Sequence, residues 1–197
     1  MNAPVESTPK ITLKKYNTAM MPDIIAELEM SPALFEKVQE CPGEMDVLNV
    51  LMDAKELDLA VKFLALGLPK KEAIWWSCVC VEAVDKNPDP NTVGAFKLVN
   101  DWARASTEEK RRAAKRISDV LGLYTPMGWV TTAIFWSGGS LAPEGKPPVE
   151  PPPMMCGHAV SNAVSMAAEN TGDPAECLKR FLKKGIHIAM GGNGRVE

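Results

Sequence analysis

A chain of 197 residues, 46% hydrophobic and 24% charged, holds enough apolar material for one well-filled domain, which excludes wholesale disorder. Its formal net charge of −3 gives no general attraction to nucleic acid or to anionic lipid. Five cysteines, an odd number with three in apolar helical settings, point to reduced thiols in a cytosol and away from a disulfide framework.

Residues 1–17 carry prolines, polar side chains and little periodicity, and read as a flexible arm on which Ile11 and Leu13 could dock. No apolar run follows a basic start, so no secretory signal is read. Pro22 opens a short helix with Ile24, Ile25 and Leu28. Ser31-Pro32 restarts it toward Leu34, Phe35 and Val38 in the pattern of an N-cap residue followed by proline. Cys41-Pro42-Gly43 is a turn. Residues 45–52 and 56–66 form two more helices, the second closed by Gly67 as a C-terminal glycine.

Leu68-Pro69-Lys70-Lys71-Glu72 then starts the helix around which the rest is organised. Pro69 fits a first turn, where its missing N–H costs nothing, and Glu72 lies at the positive end of the helix dipole. Beyond Glu72 the apolar side chains point in every direction: Ala73, Trp76, Cys80 and Ala83 in one row, Ile74, Cys78 and Val81 in a second, Trp75 and Val79 in a third. A helix apolar all round belongs inside a core. Pro69, Glu72, Trp75, Trp76 and Cys78 are therefore a folding hub. The apolar stretch 73–81 is about half of the ~20 residues that cross a bilayer.

Asn87-Pro88-Asp89-Pro90-Asn91 is a loop, and residues 92–105 form an amphipathic helix presenting Val93, Phe96, Val99 and Trp102 or Ala103 inward. Ser106-Thr107-Glu108-Glu109 reads as a capping box for a helix reaching about Leu121, with Ala113, Ile117 and Val120 inward and Gly122 as its end. Residues 129–136 have strand propensity in Val130, Thr131, Thr132, Ile134 and Phe135, but their helical neighbourhood favours a short buried helix. Trp129 and Trp136, two turns apart on one face, read as core anchors. Residues 143–153 hold six of the sixteen prolines and predict an extended, solvated connector. At ~3.1 Å per residue it would reach about 34 Å. Residues 157–170 form a helix rich in Ala, Ser and Val, and Asp173-Pro174 starts a last helix ending near Gly185, followed by a frayed tail. No strand pair with hairpin signals appears, and no residue pattern repeats.

The fold expected is all-α: a compact array of packed helical hairpins. Its parts are an arm (1–17), a helical core (18–142), a proline-rich connector (143–153) and a C-terminal helical hairpin (154–197) docked on the core.

Candidate chemistry is sparse. Cys78 and Cys80 lie 200° apart on a helix and cannot share a metal or a disulfide, so they read as core. Cys156-Gly157-His158 is the best catalytic suggestion, a thiol near a helix start with a histidine as base. Against it, His158, Ser161, Asn162, Ser165 and Glu169 form the polar stripe that any surface helix would have. Lys110, Arg111, Arg112, Lys115 and Arg116 make a basic patch without interleaved aromatics, which reads as a solvated face rather than a nucleic-acid site. His158 and His187 are the only histidines, too few for a histidine-rich metal site. No cofactor is expected.

The run from Ala60 to Cys78 resembles an uncharacterised family of small bacterial all-helical proteins. Their recurring pattern is Leu-Pro-basic-basic-Glu-Ala-aliphatic-Trp-Trp-small-Cys, matched here by Leu68-Pro69-Lys70-Lys71-Glu72-Ala73-Ile74-Trp75-Trp76-Ser77-Cys78. The family brings no activity and no catalytic residues. Neighbourhood to type VI-like secretion genes implies an accessory or adaptor role for its members. The reading that follows is a cytoplasmic, non-enzymatic adaptor or scaffold with a protein partner, without membrane attachment or a nucleic-acid partner. Two alternatives stand beside it: a thiol enzyme using Cys156 with a histidine, and a nucleic-acid-associated regulator using the basic helix.

Overall fold

Among the described residues, five helices have proline in the first turn and four have a side-chain cap at the preceding residue, so local chemistry sets most of the boundaries. The structure, a computed structural model, describes residues 12–196. After a 3-10 turn at Thr18–Met20 come α1 (Met21–Ala26), α2 (Pro32–Gln39), α3 (Glu44–Asp53), α4 (Leu57–Gly67) and α5 (Lys70–Val84). These are followed by α6 (Pro90–Arg104), α7 (Glu108–Leu121), α8 (Pro126–Phe135), α9 (Met155–Glu169) and α10 (Pro174–Ala189). Asp89, Thr107, Thr125 and Asp173 accept backbone N–H groups at the starts of α6, α7, α8 and α10, satisfying donors that would otherwise be orphaned. Among the described residues there is no strand, and the chain is all-α as expected, with residues 129–135 in α8. No helix among them is long and apolar enough to cross a membrane.

The centre of the core is shared by α5 and α9. Trp76 is fully buried, and its indole N–H donates to the Phe181 carbonyl at 2.8 Å. The ring lies against Gly185, where an added Cβ would stand 2.6 Å from Leu64 Cδ2 and 2.7 Å from Trp76 Cε2. Helix α9 packs against α4, α5, α8 and α10. Its Ala159, Val160, Ala163, Val164, Ala167 and Ala168 have no exposed surface, and a Cβ at Gly157 would come within 2.7 Å of Leu66 Cδ2. Small side chains let backbones approach closely. The C-terminal helices therefore do not dock on a finished core from outside; they complete it.

Other expectations change for similar reasons. Residues 12–17 belong to the domain rather than to an arm: Leu13 and Tyr16 are buried, and the Lys15 and Asn17 N–H groups donate to the carbonyls of Ala189 (2.7 Å) and Gly67 (2.8 Å). Residues 1–11, with Ile11, lie outside the described residues. Gly67 is no left-handed cap; it is the last residue of α4, and its missing Cβ leaves room for the Tyr16 ring. Residues 143–153 are largely exposed but not a straight spacer. The Leu141 N–H donates to the Val149 carbonyl at 2.7 Å and the Val149 N–H to Ser140 Oγ at 3.0 Å, so the segment doubles back. Helix α10 runs past Gly185 to Ala189. The tail after it is tied down: Lys184 Nζ donates to the Val196 carbonyl at 2.6 Å, the Gly194 N–H to His187 Nδ1 at 3.2 Å, and Arg195 pairs with Glu82 at 3.3 Å.

Candidate functional site

The hub residues are structural. Pro69 is the N-cap of α5, and Glu72 takes a 3.1 Å salt bridge from Lys15. Trp75 is half-buried, and its indole N–H donates to the Asn193 carbonyl at 3.0 Å, which fastens the tail. Cys78 is buried; desolvation pushes its thiol up to about 12, with Glu82 adding to the rise and Arg195 opposing it.

Cys156 and His158 turn to different partners. Cys156 is buried and donates to the Ala133 carbonyl at 3.4 Å, and burial pushes its thiol up to about 12 against a small opposing effect of Lys70. Burial of this kind acts against the thiolate, the reverse of the setting that activates a cysteine. His158 faces Glu27, 3.9 Å from its carboxylate, and its pKa is lowered by burial and by Lys62. Asn162 is exposed. The polar stripe is partly sealed: Ser161 is buried, and Ser165 donates to Asp58 at 2.6 Å.

The basic helix is a solvated face only in part. Its inward side is Arg111, Ala114, Ser118 and Leu121, while Val120 is 63% exposed. Arg111 is buried and satisfied by Glu108 (2.5 and 2.6 Å), the Phe135 carbonyl (2.7 Å) and the Ser140 carbonyl (2.9 Å). Its guanidinium also lies 4.8 Å from the Phe135 ring centroid. Arg112 bonds Glu108 and the Ala142 carbonyl, Lys110 the carbonyls of Asp101 and Ala105, and Lys115 pairs with Asp119. These four cations are engaged within the chain, while Arg116, the last of the patch, is exposed.

What α7 and α8 do present is apolar. Between them opens a groove of about 280 Å³, lined by Leu123, Phe135 and Trp136, with the Lys115–Asp119 pair on its rim. Leu123 is 47% exposed and Tyr124 80%; the Tyr124 ring lies where a Cβ on Gly122 would go. Trp136 stacks edge-on against Trp129, centroids 6.3 Å apart and planes at 71°, and both rings are half-buried. The tryptophans thus pack as a pair against the core, as anchors at its edge, with part of each ring open to solvent. One signal for the groove was readable: Leu123-Tyr124 is an apolar pair between a helix-ending glycine and a Thr-Pro helix start, where neither helix can bury it. The groove offers contact surface, and its polar groups are the Lys115–Asp119 pair and the hydroxyls of Ser118 and Thr132.

A family model described as a family of unknown function (DUF6931) matches residues 47–189, and the chain belongs to that family. The matched span runs from within α3 to the end of α10 and includes both the core centre and this groove; α1 and α2 precede it. No curated protein and no solved structure matches the chain.

Proposed function

We propose that the protein is a non-enzymatic interaction adaptor that receives a partner protein on the α7–α8 groove. The observation that carries this reading is a groove lined by Leu123, Phe135 and Trp136, with Leu123 and the adjoining Tyr124 exposed. Tryptophan and tyrosine are enriched at protein interfaces, where a rigid ring supplies much contact area at little entropic cost. The partner would set an apolar side chain between Leu123, Phe135 and Trp136 and a polar edge against Lys115 and Asp119. An accessory role in bacterial protein secretion belongs to the same proposal and rests on the motif resemblance alone. A cytosolic setting rests on the cysteines, all five of them free.

The test is affinity purification from the native cell, read by mass spectrometry, with wild-type bait and a Leu123→Ser, Tyr124→Ser variant matched for helical circular dichroism. A partner held by the wild type should fall at least about tenfold with the variant, as expected for the loss of central aromatic contacts. The same proteins captured equally by both baits would remove the groove from the reading.

A further inference from the structure

A cleft of about 540 Å³ opens between residues 14–17, the end of α4, the start of α5 and the start of α9. Its floor is apolar: Leu66, Leu68 and Ala73 are buried there, and the half-buried Met20 and Met154 flank them. Its charged lining is of one sign. Lys14, Lys15 and Lys70 reach it and no carboxylate does, in a chain whose net charge is −3. The three cations are only lightly engaged. Lys15 shares a 3.1 Å contact with Glu72, Lys70 donates to the Ser137 carbonyl at 2.9 Å, and Lys14 has neither a hydrogen bond nor an ion pair among the described residues. Cys156 stands in the wall with its thiol turned to the Ala133 carbonyl.

We propose that this cleft binds a small amphipathic anion, with a carboxylate or phosphate head at the lysines and an alkyl or aryl body on the leucine and methionine floor. Three features choose this class. Three lysines, of which only Lys15 has a carboxylate partner, in a lining that holds no carboxylate favour an anion and disfavour a cation. An inorganic anion would leave the apolar floor wet, whereas an apolar body removes it from water. Walls on four sides and a volume inside the roughly 300–1,000 Å³ span of small-molecule sites fit a compact ligand better than a length of polypeptide. Methionine suits such a floor because its unbranched side chain adapts to the guest. One wall, residues 14–17, lies outside the span matched by the family model, so the complete cleft is built from the family unit together with this chain's N-terminal segment. The site does not depend on the α7–α8 groove.

Isothermal titration calorimetry at fixed ionic strength tests it, with octanoate, octyl phosphate, 1-octanol and acetate as probes. At least one of the two octyl acids should bind about tenfold or more tightly than both 1-octanol and acetate, and the tighter acid identifies the head group. Exposed ion pairs contribute modestly, so Lys14→Gln alone should weaken that binding about threefold. Lys14→Gln with Lys70→Gln should weaken it about tenfold, since the two sites add. Lys71→Gln, on an exposed lysine outside the cleft, should change it less than twofold. The bound acid should also shift the backbone amide resonances of Leu68, Ala73 and Gly157. Lys14→Gln touches no bond of the fold, which keeps the test open if the Lys70 variant is unstable. Equal binding of 1-octanol and the acids, acid binding unmoved by the Lys14 variant, or no binding of either acid overturns the proposal.

Discussion

Gly67 has space for a hydrogen and nothing larger, because the Tyr16 phenol fills the position its Cβ would take. That ring is held by its hydroxyl, which donates to the Phe63 carbonyl at 3.2 Å, and by contact with the Phe63 ring at 5.3 Å. Gly67→Ala should therefore destabilise by roughly 1–3 kcal/mol, the cost of overpacking, and much less on a Tyr16→Ala background. A denaturant double-mutant cycle reads the difference; equal costs on both backgrounds would mean that close approach is not why glycine stands there. Trp76→Ala should cost roughly 3–5 kcal/mol, since it empties the centre of the core and leaves the Phe181 carbonyl without its donor. Trp75→Ala should cost less, its ring being half in water. Cys78 and Cys156 set an alkaline limit. Both thiols ionise near 12 in the fold against an ordinary value of 9.0, so the fold is at full strength below about 9 and weakens as pH climbs toward 12. Native-state iodoacetamide labelling of Cys156 should be slow, with no inflection below 9; fast labelling near neutrality would restore the thiol-enzyme alternative.

Helices show where a single sequence can and cannot be read. Asp89, Thr107, Thr125 and Asp173 are legible because a cap acts on its own first turn, and the all-round burial of α5 was legible because nine consecutive apolar or small residues leave no wet face. The inner face of α7 was legible only in part. Hydrophobic spacing turned Ala113, Ile117 and Val120 inward; Ile117 does pack on the core, but Val120 is exposed, and Arg111 is buried because its guanidinium meets two carbonyls, from the end of α8 and the loop beyond it, that only the tertiary fold brings close. In α9 the inward Val160, Ala163, Val164 and Ala167 are buried as their spacing predicts, but the polar stripe expected of a surface helix is broken, since Ser161 is buried too. The candidate sites shared this fate, since Cys156 and His158 are neighbours in sequence whose surroundings are set by other helices. Arg111→Ala should cost about 2–3 kcal/mol by leaving those carbonyls unpaired, and should raise protease cleavage in 137–142. The Glu108 carboxyl is held down to about 2, against 4.5, by hydrogen bonds from Arg111 and then Arg112. Its support is complete above about 4.5 and lost as pH falls toward 2, so Glu108→Gln should flatten the acid limb of the stability profile.

At the scale of the whole molecule, the exposed fold-back at 143–150 is the preferred site for a protease, yet cutting it should release nothing. Helix α9 is surrounded by helices of the earlier chain, so nicked protein should elute from gel filtration as one species; separated fragments would show that α9 is held from outside. That placement also imposes an order of events during synthesis. Trp76, Leu64 and Ile74 leave the ribosome long before the alanine face of α9 and the Gly185 of α10 that cover them. Until the last quarter of the chain has emerged, the apolar side of α4 and α5 lacks the cover that α9 and α10 give it, and transiently exposed apolar surface of this kind is prone to aggregate. Ribosome-bound chains stalled at residue 150 should be digested readily by protease, whereas chains with residue 197 clear of the exit should resist.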